Sequence, residues 1–331
     1  VNLPVTAVLM GGPSREREVS LLSGRNVAEA LLEGGVPRVV AVEILPGGGW
    51  RVGEEGVLSP LEALVRLLEI GTGCFFLALH GPGGEDGSVQ GLLEILGVPY
   101  TGSGVSASAL AMSKTACRAV LGAAGIPLPP GAELRRPDSE AIRRAAFKCG
   151  FPCFLKEDAS GSSLGVHRVA GPEDLDRVLE GLEGLEGKGE PLVVESAVSG
   201  TEATVAVLGN RDGELEALPV VEILPRKAFF DYQAKYDPAW TEEVCPPGSL
   251  SPALQETLRE LAVRVHRVLG CDGVSRTDFI VGPDGPVVLE CNTIPGLTRE
   301  SLLPKAAGAA GISFPELTVR MVRLALELHG R

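Results

Sequence analysis

Residues 276–302 read RTDFIVGPDGPVVLECNTIPGLTRESL. Two apolar, β-prone runs, Thr277 to Val281 and Pro286 to Glu290, flank Gly282-Pro283-Asp284-Gly285, whose residues are turn formers, so the stretch predicts an antiparallel hairpin. Centred on Asp284, the hairpin sets Asp278 opposite Glu290 and Arg276 opposite Asn292. Side chains alternate faces along a strand, so these four polar groups share one face, while Phe279, Val281, Val287, Leu289 and Cys291 line the other. Two carboxylates and an amide oxygen beside a guanidinium suit Mg²⁺, which takes one or two carboxylates and completes its shell with phosphate oxygens and water. A solvated face carrying a cross-strand ion pair accounts for the same letters equally well.

The chain has 331 residues, which predicts two or three domains, and its 44% apolar content supports sizeable cores. No run of eighteen apolar residues occurs, and VNLPVTAVLMGG carries no basic segment ahead of a signal-peptide core; the expectation is a soluble, cytoplasmic protein with no membrane partner. Seven cysteines, an odd number mostly set in apolar runs, read as reduced and buried. Cys149 and Cys153 lack the companion pair a four-ligand zinc site needs. A net charge of −13 argues against nucleic acid, which wants a basic footprint, and leaves a small-molecule substrate.

In chain order, a strand from Val5 to Met10 ends at Gly11-Gly12, a helix follows, and a second strand runs from Arg38 to Leu45. This is the opening of an open α/β sheet, whose ligands sit at the carboxyl ends of the strands. The turn GGPSRE is not G-x-G-x-x-G, so a nicotinamide site is not implied; Glu16 there either complements the helix dipole or holds an ammonium group. A strand from Cys74 to Leu79 runs into HGPGGEDG, placing His80 and Glu85 on the same rim as Glu16. The segment TGSGVSASALAMSKTACRAVLGAAG predicts helix as far as Gly125, with the first domain boundary between about Ser106 and Gly131.

Beyond it, a strand from Phe151 to Lys156, the loop EDASGSSLG and a strand from Val166 to Val169 supply hydroxyl and N–H donors that can fold over phosphates, with the strand lysine reaching the same oxygens; a plain hairpin turn fits too. Strands Leu192 to Ser196 and Thr204 to Leu208 surround Ser199-Gly200-Thr201-Glu202, where backbone edges and a carboxylate can meet an adenine and a ribose. Residues 225–247 are long for a connection and carry five aromatics, which favours an ordered lid with Lys235 as a phosphate or carboxylate partner. Leu254 to Leu269, Glu300 to Gly311 and Phe314 to Leu328 predict helices.

Taken together, GGPSREREVSLLSG, ALHGPGGEDGSVQGLLEILGVPYTGSG, SASALAMSK, GSSLGV, VSGTEATVAVLG, FFDYQAKY, SRTDFIV and LECNTIPGLTRESL closely resemble, in order and over nearly the whole chain, the D-alanine:D-alanine ligases of the ATP-grasp superfamily. The resemblance implies an α/β ATP-grasp fold in three parts. These are an N-terminal open α/β (preATP-grasp) domain over 1–108, a central subdomain with the phosphate flap over 109–200, and a C-terminal subdomain with lid and metal hairpin over 201–331. It implies ATP as a substrate, two Mg²⁺ ions with Mn²⁺ as the substitute, and a homodimer. ATP phosphorylates one D-alanine carboxylate, and the amine of a second D-alanine displaces phosphate, for peptidoglycan precursor synthesis. By resemblance Asp278, Glu290 and Asn292 hold the metals. Lys114, Lys156 and Lys235 with flap residues Ser162 and Ser163 bind phosphates, and Glu195 and Glu202 bind the nucleoside. Glu16 holds the first ammonium with His80 beside its carboxylate, Arg276 and the Gly296 N–H form the oxyanion hole, Ser301 and Leu302 receive the second carboxylate, and Ser162 and Tyr236 link the lid to Glu16.

By the resemblance, the lid segment from Phe230 to Tyr236 favours D-alanine as acceptor over D-lactate, and ligation of D-alanine to D-lactate or D-serine is the alternative reading. Retention of the whole Arg-Asp-Glu-Asn set argues against a non-catalytic binding relative. Three departures from the family pattern stand beside ATP: Glu157 and Asp158 where proline commonly follows the strand lysine, Ser196 where lysine commonly follows the hinge glutamate, and Ser113 where aspartate commonly precedes Lys114. Two carboxylates near a phosphate-binding lysine lead to an expected KM for ATP above that of the family.

Overall fold

A computed structural model describes residues 2–159, 165–182, 191–225 and 241–330. Three sheets organise them. The first, ordered β4-β3-β2-β1-β5, is built from β1 (Val5–Gly11), β2 (Val39–Ile44), β3 (Trp50–Val52), β4 (Val57–Leu58) and β5 (Thr72–Leu77). β1 lies parallel to both β2 and β5. Parallel neighbours need crossovers, here α1 (Arg17–Glu33) and α2 (Pro60–Glu69), and α3 (Ser88–Leu96) follows β5. Gly11 turns the chain out of β1 at φ +88°, where an added Cβ would lie 2.6 Å from the Ile44 carbonyl oxygen.

The helix expected to run unbroken to Gly125 is two: α4 (Val105–Met112) and α5 (Lys114–Ala123). Ser113 is extended, at φ −82° and ψ 107°, and caps α5 by accepting the Ala116 N–H at 3.2 Å. The second sheet, ordered β6-β9-β7-β8, comprises β6 (Gly131–Leu134), β7 (Cys153–Glu157), β8 (Val166–Val169) and β9 (Leu192–Ser196), with α6 (Ser139–Cys149) and α7 (Pro172–Leu182) on it.

The third sheet holds β10 (Thr201–Leu208), β11 (Glu216–Ala217), β12 (Val221–Pro225), β13 (Thr241–Val244), β14 (Val274–Gly282) and β15 (Gly285–Asn292), with β14 between β10 and β15. α8 (Pro252–Leu269) packs across it, and α9 (Leu302–Ala309) and α10 (Phe314–His329) close the chain. α10 returns to the first sheet: Leu317, Met321, Val322 and Ala325 share a buried core with Val8, Val27, Leu31 and Phe76.

The hairpin is as read, with Asp278 opposite Glu290 and Arg276 opposite Asn292. Its turn, however, pairs Gly282 with Gly285, and a bulge after Asp278 moves Phe279 opposite Val288. One extra residue shifts the face assignment, so Phe279, Val288 and Cys291 are buried, whereas Val281, Val287 and Leu289 are only partly covered.

His266 of α8 is fully buried, its Nδ1 2.7 Å from Ser275 Oγ, and burial pushes its pKa down to about 4. The unfolded chain, with an ordinary histidine, binds more protons below about pH 6.5, so this contribution is complete above that pH and is lost as pH falls toward 4. In urea denaturation, replacing His266 with Gln is expected to remove about 2 kcal/mol of the stability lost between pH 7 and pH 5.

Candidate functional site

The site forms where the first and third sheets meet. Glu16, the residue before α1, is buried; its N–H donates to Ser14 Oγ at 3.1 Å, and Ser14 Oγ donates to the His80 carbonyl at 2.7 Å. Gly81, at φ +74°, lets that loop close on Glu16: an added Cβ would stand 2.8 Å from Glu16 Oε2. His80 is buried with Nε2 3.3 Å from Ser23 Oγ. Burial, together with the charge of Arg276, pushes its pKa down to about 4 against the opposing pull of the Ile294 backbone, so a neutral imidazole faces the site at neutral pH.

Arg276 lays its guanidinium fork on Asp278, with Nε to Oδ1 and Nη2 to Oδ2 both 2.8 Å. Thr204 Oγ1 donates to Asp278 Oδ1 at 2.5 Å, and Asn292 Nδ2 lies 3.4 Å from Oδ2. Glu290 stands opposite Asp278 in the ladder. The donors are hard oxygens, two carboxylates and an amide, which fits Mg²⁺ completed by phosphate oxygens better than a soft-ligand metal. Among the described residues no three His, Cys, Asp or Glu side chains converge as a metal group by themselves.

Glu85 belongs to this cluster, although sequence reading gave it only a place on the rim. It accepts the Gly81 N–H at 2.7 Å. Burial, with the charges of Glu16 and Glu290, raises its pKa to about 8 against the Gly81 bond and Arg276. At the acceptor end, Ser301 Oγ receives the Thr298 N–H at 3.1 Å and lies 2.8 Å from Thr298 Oγ1. Gly296 packs so close that an added Cβ would come within 2.9 Å of Ser301 Oγ, and Leu302 opens α9.

A second group lies on the central sheet. Lys156 of β7 forms an ion pair with Glu195 Oε1 of β9, and Arg118 Nη1 of α5 meets Glu195 Oε2 at 3.1 Å. Arg118 also holds Glu133 at 2.9 Å and the Pro129 carbonyl at 2.9 Å. Glu195 is buried, so its two cations replace the water it has lost. Expected at the nucleoside, Glu195 lies beside the strand lysine as its counter-ion. Arg118 was not singled out from sequence; its signal was the four-residue step from Lys114 along one helix face.

Of the departures, Ser196 Oγ donates to the Cys149 carbonyl at 2.8 Å. Glu157 Oε1 lies 3.9 Å from His167 Nε2, and the Asp158 carboxylate is turned to the start of α5. Glu202 sits on β10 opposite Ile280 and Ile223. Ser162, Ser163, Lys235 and Tyr236 lie outside the described residues.

An open α/β sheet, a lysine-bearing central sheet and a carboxylate hairpin define an enzyme of the ATP-grasp type. Family models described as D-ala D-ala ligase C-terminus and D-ala D-ala ligase N-terminus match residues 120–323 and 59–103. The D-alanine–D-alanine ligase of Desulforudis audaxviator is 45% identical over 97% of this chain and 98% of that protein; that of Desulforamulus reducens is 42% identical over 97% and 98%. The solved D-alanine–D-alanine ligase of Bacillus anthracis aligns with TM-score 0.78 at 32% identity, covering 98% of each chain. That of Coxiella burnetii aligns at 0.82 and 27%, covering 100% of this chain and 96% of that one. This chain belongs to the D-alanine–D-alanine ligase family.

For a carboxyl with a raised pKa, stability is full below the ordinary value of 4.5, is lost as pH rises above it because only the unfolded chain ionises, and the loss is complete by about pH 8. Glu85→Gln keeps an acceptor for the Gly81 N–H and has no charge to bury. Its urea midpoint is expected to fall less than that of the parent between pH 5.5 and pH 8.5.

Proposed function

We propose that this enzyme joins two D-alanines into D-alanyl-D-alanine at the expense of ATP, supplying a peptidoglycan precursor in the cytoplasm. The observation that carries the reading is the opposed Asp278 and Glu290 with Arg276 beside them, facing Glu16 and His80 across the sheet junction. The buried carboxylate of Glu16 holds the ammonium of the first D-alanine. His80, neutral in its buried pocket and engaged by Ser23 and the Ile294 backbone, stands beside that substrate's carboxylate. Mg²⁺ bound by Asp278, Glu290 and Asn292 would neutralise the phosphates of ATP and favour attack on the γ-phosphorus.

Lys114 and Lys156 receive the α- and β-phosphates, and Lys235 the γ-phosphate. Glu195 orients Lys156 for this role, and Glu202 holds the ribose. Arg276 and the Gly296 N–H bear the charge that develops on the acyl oxygen when the second amine attacks; one such donor is worth about 3 kcal/mol. Ser301 and Leu302, at the start of α9, seat the second carboxylate. Ser162 and Ser163 are assigned to ATP, and Ser162 with Tyr236 to the link with Glu16. We assign residues 1–108 to an N-terminal α/β domain that carries Glu16 and His80, with the subdomains 109–200 and 201–331 enclosing ATP.

Phosphate release measured with ATP, Mg²⁺ and D-alanine alone is expected to accompany dipeptide formation, seen by mass. Asp278→Ala is expected to lower turnover about a hundredfold or more. Product formed only when D-lactate or D-serine is added would overturn the acceptor assignment. ATP binding without any D-alanine-dependent turnover would make the chain a binding relative.

We also infer a homodimer through the N-terminal sheet. Supporting it, α2 exposes Leu61, Val65 and Leu68 at 71%, 49% and 43% in one stripe, more apolar surface than a solvent-facing helix normally shows. Light scattering after gel filtration is expected to give a dimer, and Leu61→Asp with Val65→Asp a monomer. A monomeric parent protein would refute this.

A further inference from the structure

We propose that Asp158 is a positioning residue for ATP, locking the helix that carries Lys114 to the strand that carries Lys156; this rests on the assignment of those two lysines to phosphate. The contacts are specific. Asp158 Oδ1 accepts the Thr115 N–H at 2.7 Å, and Oδ2 accepts the Ser113 hydroxyl at 2.8 Å. Its backbone carbonyl lies 3.3 Å from Lys114 Nζ and accepts the Lys114 N–H at 3.4 Å. Three consecutive residues at the start of α5 are therefore held by one residue two positions beyond Lys156.

The interaction is chemically sound at both ends. The first N–H groups of a helix lack intrahelical partners, and an anion there is favoured by the helix dipole. Ser113 satisfies Ala116, while Asp158 reaches over from the second sheet to satisfy Thr115. The carboxylate thus faces helix donors, with Lys114 engaging the carbonyl of the same residue.

One helical turn further on, Arg118 closes a circuit. It leaves α5, pairs with Glu195 on β9, and Glu195 pairs with Lys156 on β7, whose continuation is Asp158. β7 and β9 are hydrogen-bonded neighbours, which makes the circuit rigid. Lys114 and Lys156 consequently approach ATP from two elements joined to each other at two points, Asp158 and the Arg118–Glu195–Lys156 bridge. Removing the Asp158 carboxylate leaves α5 packed on its neighbours and bridged by Arg118 but takes away the side-chain hold on Ser113 and Thr115 that flank Lys114, a loss of preorganisation felt by ATP and not by amino acids bound at Glu16 and Arg276.

The test is steady-state kinetics in both substrates on the full-length enzyme, with melting curves on every variant. Asp158→Ser is expected to raise the KM for ATP about tenfold while the KM values for D-alanine stay within about twofold. Asp158→Asn, which still accepts from Thr115, is expected to stay within about threefold of the parent. Adding Ser113→Asp to Asp158→Ser returns a carboxylate to the same junction and is expected to recover most of the loss.

An unchanged KM for ATP in Asp158→Ser, an equal rise for ATP and D-alanine, an Asn variant no better than Ser, or no recovery in the pair would each overturn the proposal. Lys114→Ala and Lys156→Ala serve as controls: if neither raises the KM for ATP, the phosphate assignment itself fails, and the proposal with it. Should Asp158→Ser not fold, Ser113→Ala takes its place, with a rise of about threefold expected and no change contradicting the proposal.

Discussion

The pairing of β14 with β15 is the constraint on which the rest of the molecule depends. Antiparallel pairing brings two carboxylates that are twelve positions apart in sequence directly opposite one another, and the period-two alternation aims them to the same side as Arg276 and Asn292. A free cluster of this kind would repel itself. The fork from Arg276 and the Thr204 hydroxyl on β10 hold Asp278 in a defined orientation, so the third sheet as a whole fixes the cluster. The bulge after Asp278 lets the polar face remain in register while the apolar residues nearer the turn adjust to the core.

Around that pair the structure distributes charge with economy. Negative groups gather at the junction of the first and third sheets, where Glu85 feels the charges of Glu16 and Glu290 and of Arg276. Cations gather on the central sheet, where Lys156 and Arg118 share Glu195. An amino acid presents an ammonium and ATP presents phosphates, and the roles proposed above match the negative group to the first and the cations to the second. Removing Glu195 would strip Lys156 and Arg118 of the buried carboxylate they share, so these groups constrain the fold as well as the chemistry.

Much of this was legible in the sequence because it is local. Turn residues between β-prone runs gave the hairpin, and arithmetic on residue numbers gave the opposed carboxylates. The bulge was not legible, since no residue type marks it and only packing of Phe279 and Val288 decides it. The break between α4 and α5 was missed for a related reason. Val105 to Ala123 reads as good helix, and the interruption at Ser113 is supported by Asp158, which lies on another sheet. For the same reason Glu157 and Asp158 looked like competitors of Lys156 until their partners, His167 and the first turn of α5, were seen. The family pattern identified the residue types of the site; tertiary contacts determine what each side chain touches.

The return of α10 to the first sheet bears on how the molecule is made. Leu317, Met321 and Val322 fill the same core as Val8, Val27 and Phe76, and the Tyr100 and His329 rings lie 4.6 Å apart. As the chain leaves the ribosome, the N-terminal sheet therefore emerges with part of its apolar face uncovered and stays so until residues 314–329 have been added. An amino-terminal fragment ending near residue 108 would carry that unshielded face permanently and tend to self-associate. The first sheet in sequence is in this sense the last to be covered.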